Sequence, residues 1–399
     1  MIPKLNSVVE GIPEALSIFV NQIVYDKKSK GERVYTFSLG EAFFDIPRFD
    51  ISDDSFRAGY HYSSSMGQPK LRKKIAELYS IRYGVPVDSN TEVLISSGSK
   101  PIIFMLMQVV LNPGDEVLVH EPAWLSYKEQ IKLAGGIHVP IPYDKDIYHW
   151  EEYITSKTKL VIVNNPNNPS GQLYSKDEID YLLRLAEERD FFILADEAYS
   201  DFLAPSDKFI SFASADKTKE HCLVVNSLSK NMGMSGWRVG YAIAHKDVIR
   251  QLLKVNQHLI TCAATVLQDY MAEHFDDILS ATIPQAIQMA EKRKQVQEIM
   301  NRLGIVAMTG TGTFYFLIDV SEFSGTTDEL VYDLLINYNI ATVPGSAYGE
   351  STKEFVRFGI GVESLEDIEK CLNIIKEFLS QKTYDSTKIR VQMHEYGID

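Results

Sequence analysis

The sequence predicts an α/β protein, with a large domain built on a mostly parallel sheet between helices and a smaller α+β domain beside it. Two observations carry that prediction. Between about residues 90 and 260, short apolar segments alternate with helical patterns, as strands joined by helical crossovers do. After residue 265 the alternation stops, and long helical stretches mix with isolated strand patterns. At 399 residues the chain is long enough for more than one domain and for a substantial core.

Taken in order, the first forty-odd residues are mixed in character and are assigned to the smaller domain. Strands are expected at 92–96 (EVLIS), 116–120 (EVLVH), 159–165 (KLVIVNN), 191–197 (FFILADE), 222–227 (CLVVNS) and 239–244 (VGYAIA). Several are apolar at consecutive positions, which suits strands covered on both faces. Helices are expected between them, including 101–112 (PIIFMLMQVVLN), 178–190 (EIDYLLRLAEERD) and 247–255 (DVIRQLLKV). A long helical stretch over 266–303 follows, then a strand at 314–320, a helix at 327–338, a strand at 355–361 and a last helix at 364–381. The polar tail from Lys382 is not assigned. The division drawn from this is a large domain over 46–285 and a small one from 1–45 with 286–399.

Composition narrows the function classes. The chain is 45% hydrophobic and 24% charged, ordinary for a globular protein. Its net charge of −14 argues against non-specific binding to nucleic acid or to an anionic membrane. Three cysteines, Cys222, Cys262 and Cys371, show no CxxC spacing, which suits a reducing compartment. No HExxH or Cys/His cluster suggests a metal site. The start, MIPKLNSVVEGIPEALSIFV, lacks the pattern of a signal peptide, and the longest apolar run, 102–111, is shorter than the ~20 residues that span a bilayer. A cytoplasmic protein is expected.

Ligands of open α/β sheets gather at the carboxyl ends of the strands. Those ends carry Ser97-Gly98-Ser99-Lys100, then Glu121-Pro122-Ala123-Trp124, Asn164 to Gly171, Asp196-Glu197-Ala198-Tyr199, and Ser227 to Lys230. SSGSKP can be an anion cradle at a helix N-terminus or an ordinary cap, and the stretch itself leaves both open. Asp196 ends a buried strand and needs a partner, which a protonated heterocyclic nitrogen or a salt bridge would supply. Trp124 can stack on a ring or pack in the core. Asn168 and Tyr199 can hydrogen-bond a phenolic oxygen. Together the parts describe a planar protonated ring with a phosphate and a phenolic oxygen, beside a lysine able to form a Schiff base. Pyridoxal 5′-phosphate (PLP) has that chemistry, and Lys230 would then anchor it and shuttle the proton at the substrate Cα.

The stretches SLSKNMGMSGWRVGY, NNPNNPSG, ADEAY, YSSSMGQPKLR, LNPGDEVLVHEPAW, GTFYFLID, PGSAYG and FVRFGIG resemble the motifs of the class I/II aminotransferases, in the expected order. These are PLP enzymes of fold type I, aspartate aminotransferase-like, and the resemblance runs from about Ser38 to Lys376. It implies a seven-stranded large-domain sheet and an aminotransferase. Such an enzyme moves the amino group of an amino acid to a 2-oxo acid in a ping-pong scheme, through a PLP aldimine and pyridoxamine phosphate. By the same resemblance, Lys230 forms the aldimine, Asp196 pairs with the ring nitrogen, Tyr199 and Asn168 hold the phenolic oxygen, and Trp124 stacks on the ring. Gly98, Ser99, Lys100, Ser227 and Arg238 bind the phosphate. Tyr62 reaches the phosphate of a neighbouring subunit, which implies a homodimer. Arg357, with Asn168 and the Gly40 backbone, binds the substrate α-carboxylate.

The chain departs from the family at Gly40-Glu41-Ala42-Phe43-Phe44, where Phe43 and Phe44 imply a less polar substrate pocket. Lys70 replaces the usual glutamate and is expected at the surface. No arginine or lysine is singled out for a distal substrate carboxylate. A carbon–sulfur β-lyase on the same fold is the alternative reaction. A PLP-binding regulator without catalysis is a further one, set against the acidic chain and its full set of catalytic residue types.

Overall fold

The computed structural model describes residues 3–396 and Ile398. Met1, Ile2, Gly397 and Asp399, at the ends of the start and tail read above, lie outside the described residues. Twelve strands form among the described residues. A short strand β1 (Tyr35–Thr36) precedes the seven strands of the large sheet. These are β2 (Val93–Ser96), β3 (Glu116–His120), β4 (Ile137–Ile141), β5 (Thr158–Asn164), β6 (Phe192–Asp196), β7 (Cys222–Ser227) and β8 (Gly240–Ile243). After them come β9 (Tyr315–Asp319), β10 (Ile340–Ala341), β11 (Val343–Pro344) and β12 (Phe355–Gly359).

The large sheet has the order β2-β8-β7-β6-β5-β3-β4. Only β8 runs against its neighbours, β2 and β7, so the other six strands point one way. Strands β2, β6 and β7 are buried along nearly their whole length because helices cover both faces. Two apolar cores result, one on each face. One gathers Val161, Val163, Ile193 and Val224, and the other Leu160, Ile162, Leu194 and Val225. The alternation along β5, β6 and β7 splits their side chains between the two faces.

Strand β4 was not read from the sequence. It lies at the sheet edge, is half exposed and contains Pro140, so it lacks the apolar pattern of its neighbours. The stretch expected as one helix over 266–303 is two, Thr265–Glu273 and Phe275–Leu303, which meet at His274. The tail holds a helix, Thr387–Glu395, in which Arg390 pairs with Glu329 at 2.6 Å.

A third core forms around β9, β12 and the helices Thr327–Tyr338 and Leu365–Leu379, with Phe37 stacked on Phe358 at 3.9 Å. The N-terminal helix Leu16–Ser29 packs through Val20, Ile23 and Val24 onto Tyr332, Leu335 and Ile389. Strand β1 pairs in parallel with β10, Tyr35 with Ile340 and Thr36 with Ala341. The helix Phe275–Leu303 belongs to two cores. Phe275, Ile278 and Leu279 pack with the large sheet, whereas Ala286, Val296 and Met300 pack with β9 and β12. Among the described residues no helix is long and apolar enough to cross a membrane, and none of their side chains form a cluster able to hold a metal ion.

Candidate active site

The register of the sheet decides which residues meet. Asn164 pairs with Asp196, and Ser96 and Ser227 both pair with Gly240. The ends of β2, β5, β6 and β7 therefore share one edge. Gly240 permits this closeness, because a Cβ there would stand 2.4 Å from the Ser99 nitrogen. At that edge lies a cavity of roughly 210 Å3. Of the residues singled out from the sequence, Ser99, Lys100, Trp124, Asn168, Asp196, Tyr199, Ser227, Lys230, Arg238, Arg357 and Gly40 line it.

One end of the cavity is built for an anion. The helix Ser99–Val110 starts there, and the N–H groups of its first turn have no intrahelical acceptor. Gly98 caps it at φ +97, and a Cβ at Gly98 would stand 2.7 Å from Arg238 Nη2. Arg238 is itself left-handed, at φ 55, and donates to the Ser235 carbonyl at 2.7 Å. Lys100 lies on the other side, with Nζ 5.0 Å from the Trp124 ring centroid. Burial and then the nearby Arg238 lower the Lys100 pKa. Ser227 accepts the Ser229 N–H at 3.1 Å, closing the turn into Lys230.

In the middle, Asp196 is buried and its Oδ2 accepts the Tyr127 hydroxyl at 2.7 Å, while Oδ1 accepts the Ala198 N–H at 3.3 Å. Burial pushes its pKa up, and these donors and Lys230 only partly oppose that. Lys230 Nζ donates to the Gly40 carbonyl and lies 5.5 Å from the Tyr199 ring centroid. Burial pushes Lys230 down to about 8; Glu41 opposes this, and Arg357 and Arg238 add to it. Its ammonium therefore loses its proton more easily than one in water.

At the far end, Tyr199 and Tyr315 share a hydroxyl contact at 3.0 Å, and Asn168 Nδ2 donates to Tyr199 at 3.4 Å. Arg357, on β12, donates from Nη2 to the Ser38 carbonyl at 2.5 Å. Its buried Nε and the buried Asn168 Oδ1 have no partner among the described residues. A buried guanidinium with an unused edge is a receptor for a carboxylate.

Two predicted residues stand apart. Gly98 adjoins the cavity without lining it. Tyr62 is 88% exposed and does not reach the cavity of its own chain. Neither Phe43 nor Phe44 lines the cavity. Phe43 is 65% exposed, and Phe44 packs against Phe202, with ring centroids 5.9 Å apart, and beside Gly233. Lys70 is at the surface, as expected. Sequence reasoning missed Tyr127, Tyr315, and the pair Ser17 and Asn21, one turn apart on the N-terminal helix. The spacing of Tyr127 from Trp124 was a usable signal; nothing local marks Ser17 or Asn21.

The sequence model for the family described as aminotransferase class I and II matches residues 50–375. An aspartate aminotransferase of Sulfolobus acidocaldarius is 31% identical, over 89% of this chain and 92% of its own. The aromatic-amino-acid aminotransferase 2 of Thermococcus litoralis is 28% identical, over 90% and 95%. In three dimensions the chain resembles a double mutant of Thermus thermophilus aspartate aminotransferase. The TM-score is 0.83 at 29% identity, over 94% of this chain and 100% of that one.

Proposed function

The chain belongs to the class I and II aminotransferases and is an amino-acid aminotransferase, and from that premise we propose that its cavity binds PLP, an amino acid and a 2-oxo acid. The carrying observation is that Lys230 stands between an anion cradle and a buried, half-used guanidinium. The residues fit the cofactor. The Gly98–Arg238 cradle suits a phosphate, and Asp196, raised by burial, gains from a cationic N–H opposite it. When bound, PLP supplies the electron sink for the charge left at the substrate Cα.

The chain's own groups do the rest. Ser99, Lys100, Ser227 and Arg238 hold the phosphate, together with the Gly98 backbone. Trp124 covers one face of the ring, and Tyr199 with Asn168 binds the phenolic oxygen. Arg357, Asn168 and the Gly40 backbone hold the α-carboxylate, which fixes the direction of the Cα–H bond. With PLP in place, the neutral Lys230 amine would take the proton from Cα, and its ammonium would give that proton to the cofactor carbon it had held rather than back to Cα. The working unit is a cytoplasmic homodimer, with Tyr62 of each protomer directed at the phosphate site of its partner. The exposure of Tyr62 in the single chain leaves it free for that role.

Lys230→Ala is expected to abolish turnover while leaving the circular dichroism spectrum unchanged. Single amino acids added to the PLP-loaded protein without an oxo acid should shift its visible absorption band and yield one equivalent of 2-oxo acid. Pyruvate and ammonia released catalytically under the same conditions would instead make it a lyase.

A further inference from the structure

A second chamber, of roughly 590 Å3, adjoins the active-site cavity, and Trp124 and Leu125 line both. It lies between the start of the N-terminal helix, the helix Ser126–Leu133, β4 and the loop 346–350. Its volume is in the range of sites that enclose small organic molecules. Most of its surface is apolar, from residues such as Ile12, Leu16, Leu133 and Pro140.

Two buried polar atoms on its wall have no partner among the described residues: the Tyr348 hydroxyl and Gln130 Oε1. Tyr348 is 2% exposed and Gln130 9%. Buried polar atoms are nearly always paired, so this donor and acceptor point to a ligand that completes them. Tyr348 also links the two spaces, because the Arg357 guanidinium lies 5.2 Å from its ring centroid. A carboxylate held by Arg357 is thus one tyrosine away from the chamber.

The charges on the chamber wall weigh against one class of side chain. Glu14, Glu121, Glu129 and Glu350 contribute four carboxylates, of which Glu129 pairs with Lys132 at 3.0 Å and Glu350 with Lys353 at 3.2 Å, leaving Glu14 and Glu121 beside the cation Lys128. Burial pushes His138 down to about 4, so it is neutral at pH 7. An acidic side chain entering this space meets net negative charge.

We propose that the amino donor carries a large, uncharged side chain with a hydrogen-bonding group near its end, and that this side chain occupies the chamber behind Trp124. The inference rests on the aminotransferase reading. Leu133 is 44% exposed at the end of its helix, so a larger residue there fills the chamber with little demand on the fold. Ala15, on the opposite wall, gives a second site for the same change.

The test compares L-tyrosine, L-aspartate and L-alanine as donors to 2-oxoglutarate in the PLP-loaded wild type, Leu133→Trp and Ala15→Phe. It is joined by calorimetric binding of the unreactive 3-(4-hydroxyphenyl)propionate and succinate. Expected are a kcat/KM at least tenfold higher for tyrosine than for aspartate in the wild type, and a tenfold or larger loss for tyrosine in both variants, mainly through KM. Aspartate and alanine should change less than twofold, and the aromatic analogue should bind more weakly to the variants while succinate does not. A wild type that prefers aspartate, or variants that lose all donors equally, overturns the inference and leaves the aminotransferase reading standing. Turnover of no donor at all overturns that reading and the inference with it.

Discussion

A lysine amine enclosed by protein and flanked by two guanidinium groups gives up its proton earlier than one in water, and Lys230 is in that position. The consequence is a pH profile. With its pKa lowered from 10.5 to about 8, the amine is mostly charged at pH 6 and mostly neutral at pH 9. The rate at which cofactor-free protein captures PLP should therefore climb between pH 6 and 9 and level off above that, as followed by stopped-flow absorbance. A rate still climbing at pH 10.5 would mean that the amine titrates as it does in water. A second consequence belongs to Tyr127, whose hydroxyl donates to Asp196 Oδ2 at 2.7 Å. Tyr127→Phe leaves a buried acceptor without that donor, at a cost of about 1–3 kcal/mol in urea unfolding. It also removes one of the groups that oppose the burial-driven rise of the Asp196 pKa, so the charged carboxylate is less favoured and PLP affinity should fall.

At the scale of elements, the strand-and-helix alternation of the large sheet was legible because burial on both faces writes a continuous apolar signal. Strand β4 was hidden because an edge strand with a proline carries no such signal. The break at His274 was hidden because apolar residues continue on both sides of it. Site residues at strand ends could be read, since their local motifs are compact. Ser17 and Asn21 could not, because only the packing of the N-terminal helix onto Tyr332 and Leu335 brings them to the cavity. The join between β2 and the helix Ser99–Val110 makes a prediction of its own. At Gly98 the backbone is left-handed and a Cβ would meet Arg238. Gly98→Ala must therefore displace that guanidinium or the turn itself. Fluorescence titration of the cofactor-free variant with PLP should show affinity reduced at least tenfold, and unchanged affinity would exclude Gly98 and Arg238 from the phosphate site.

For the whole molecule, the long helix Phe275–Leu303 matters most. It lends one end to the large-sheet core and the other to the core around β9 and β12, and Pro284 lies between the two sets of contacts. Neither core can open without stripping apolar side chains from a rod that the other still holds. Heating should give one cooperative calorimetric transition, and two resolved peaks would show that the cores melt independently. The same arrangement bears on how the chain is degraded. The chain crosses between the cores twice: residues 39–52 carry no helix or strand and expose Phe43, whereas the later crossing is a wound helix whose bonds are out of reach until everything loosens together, so limited digestion should cut at the first crossing and spare the second.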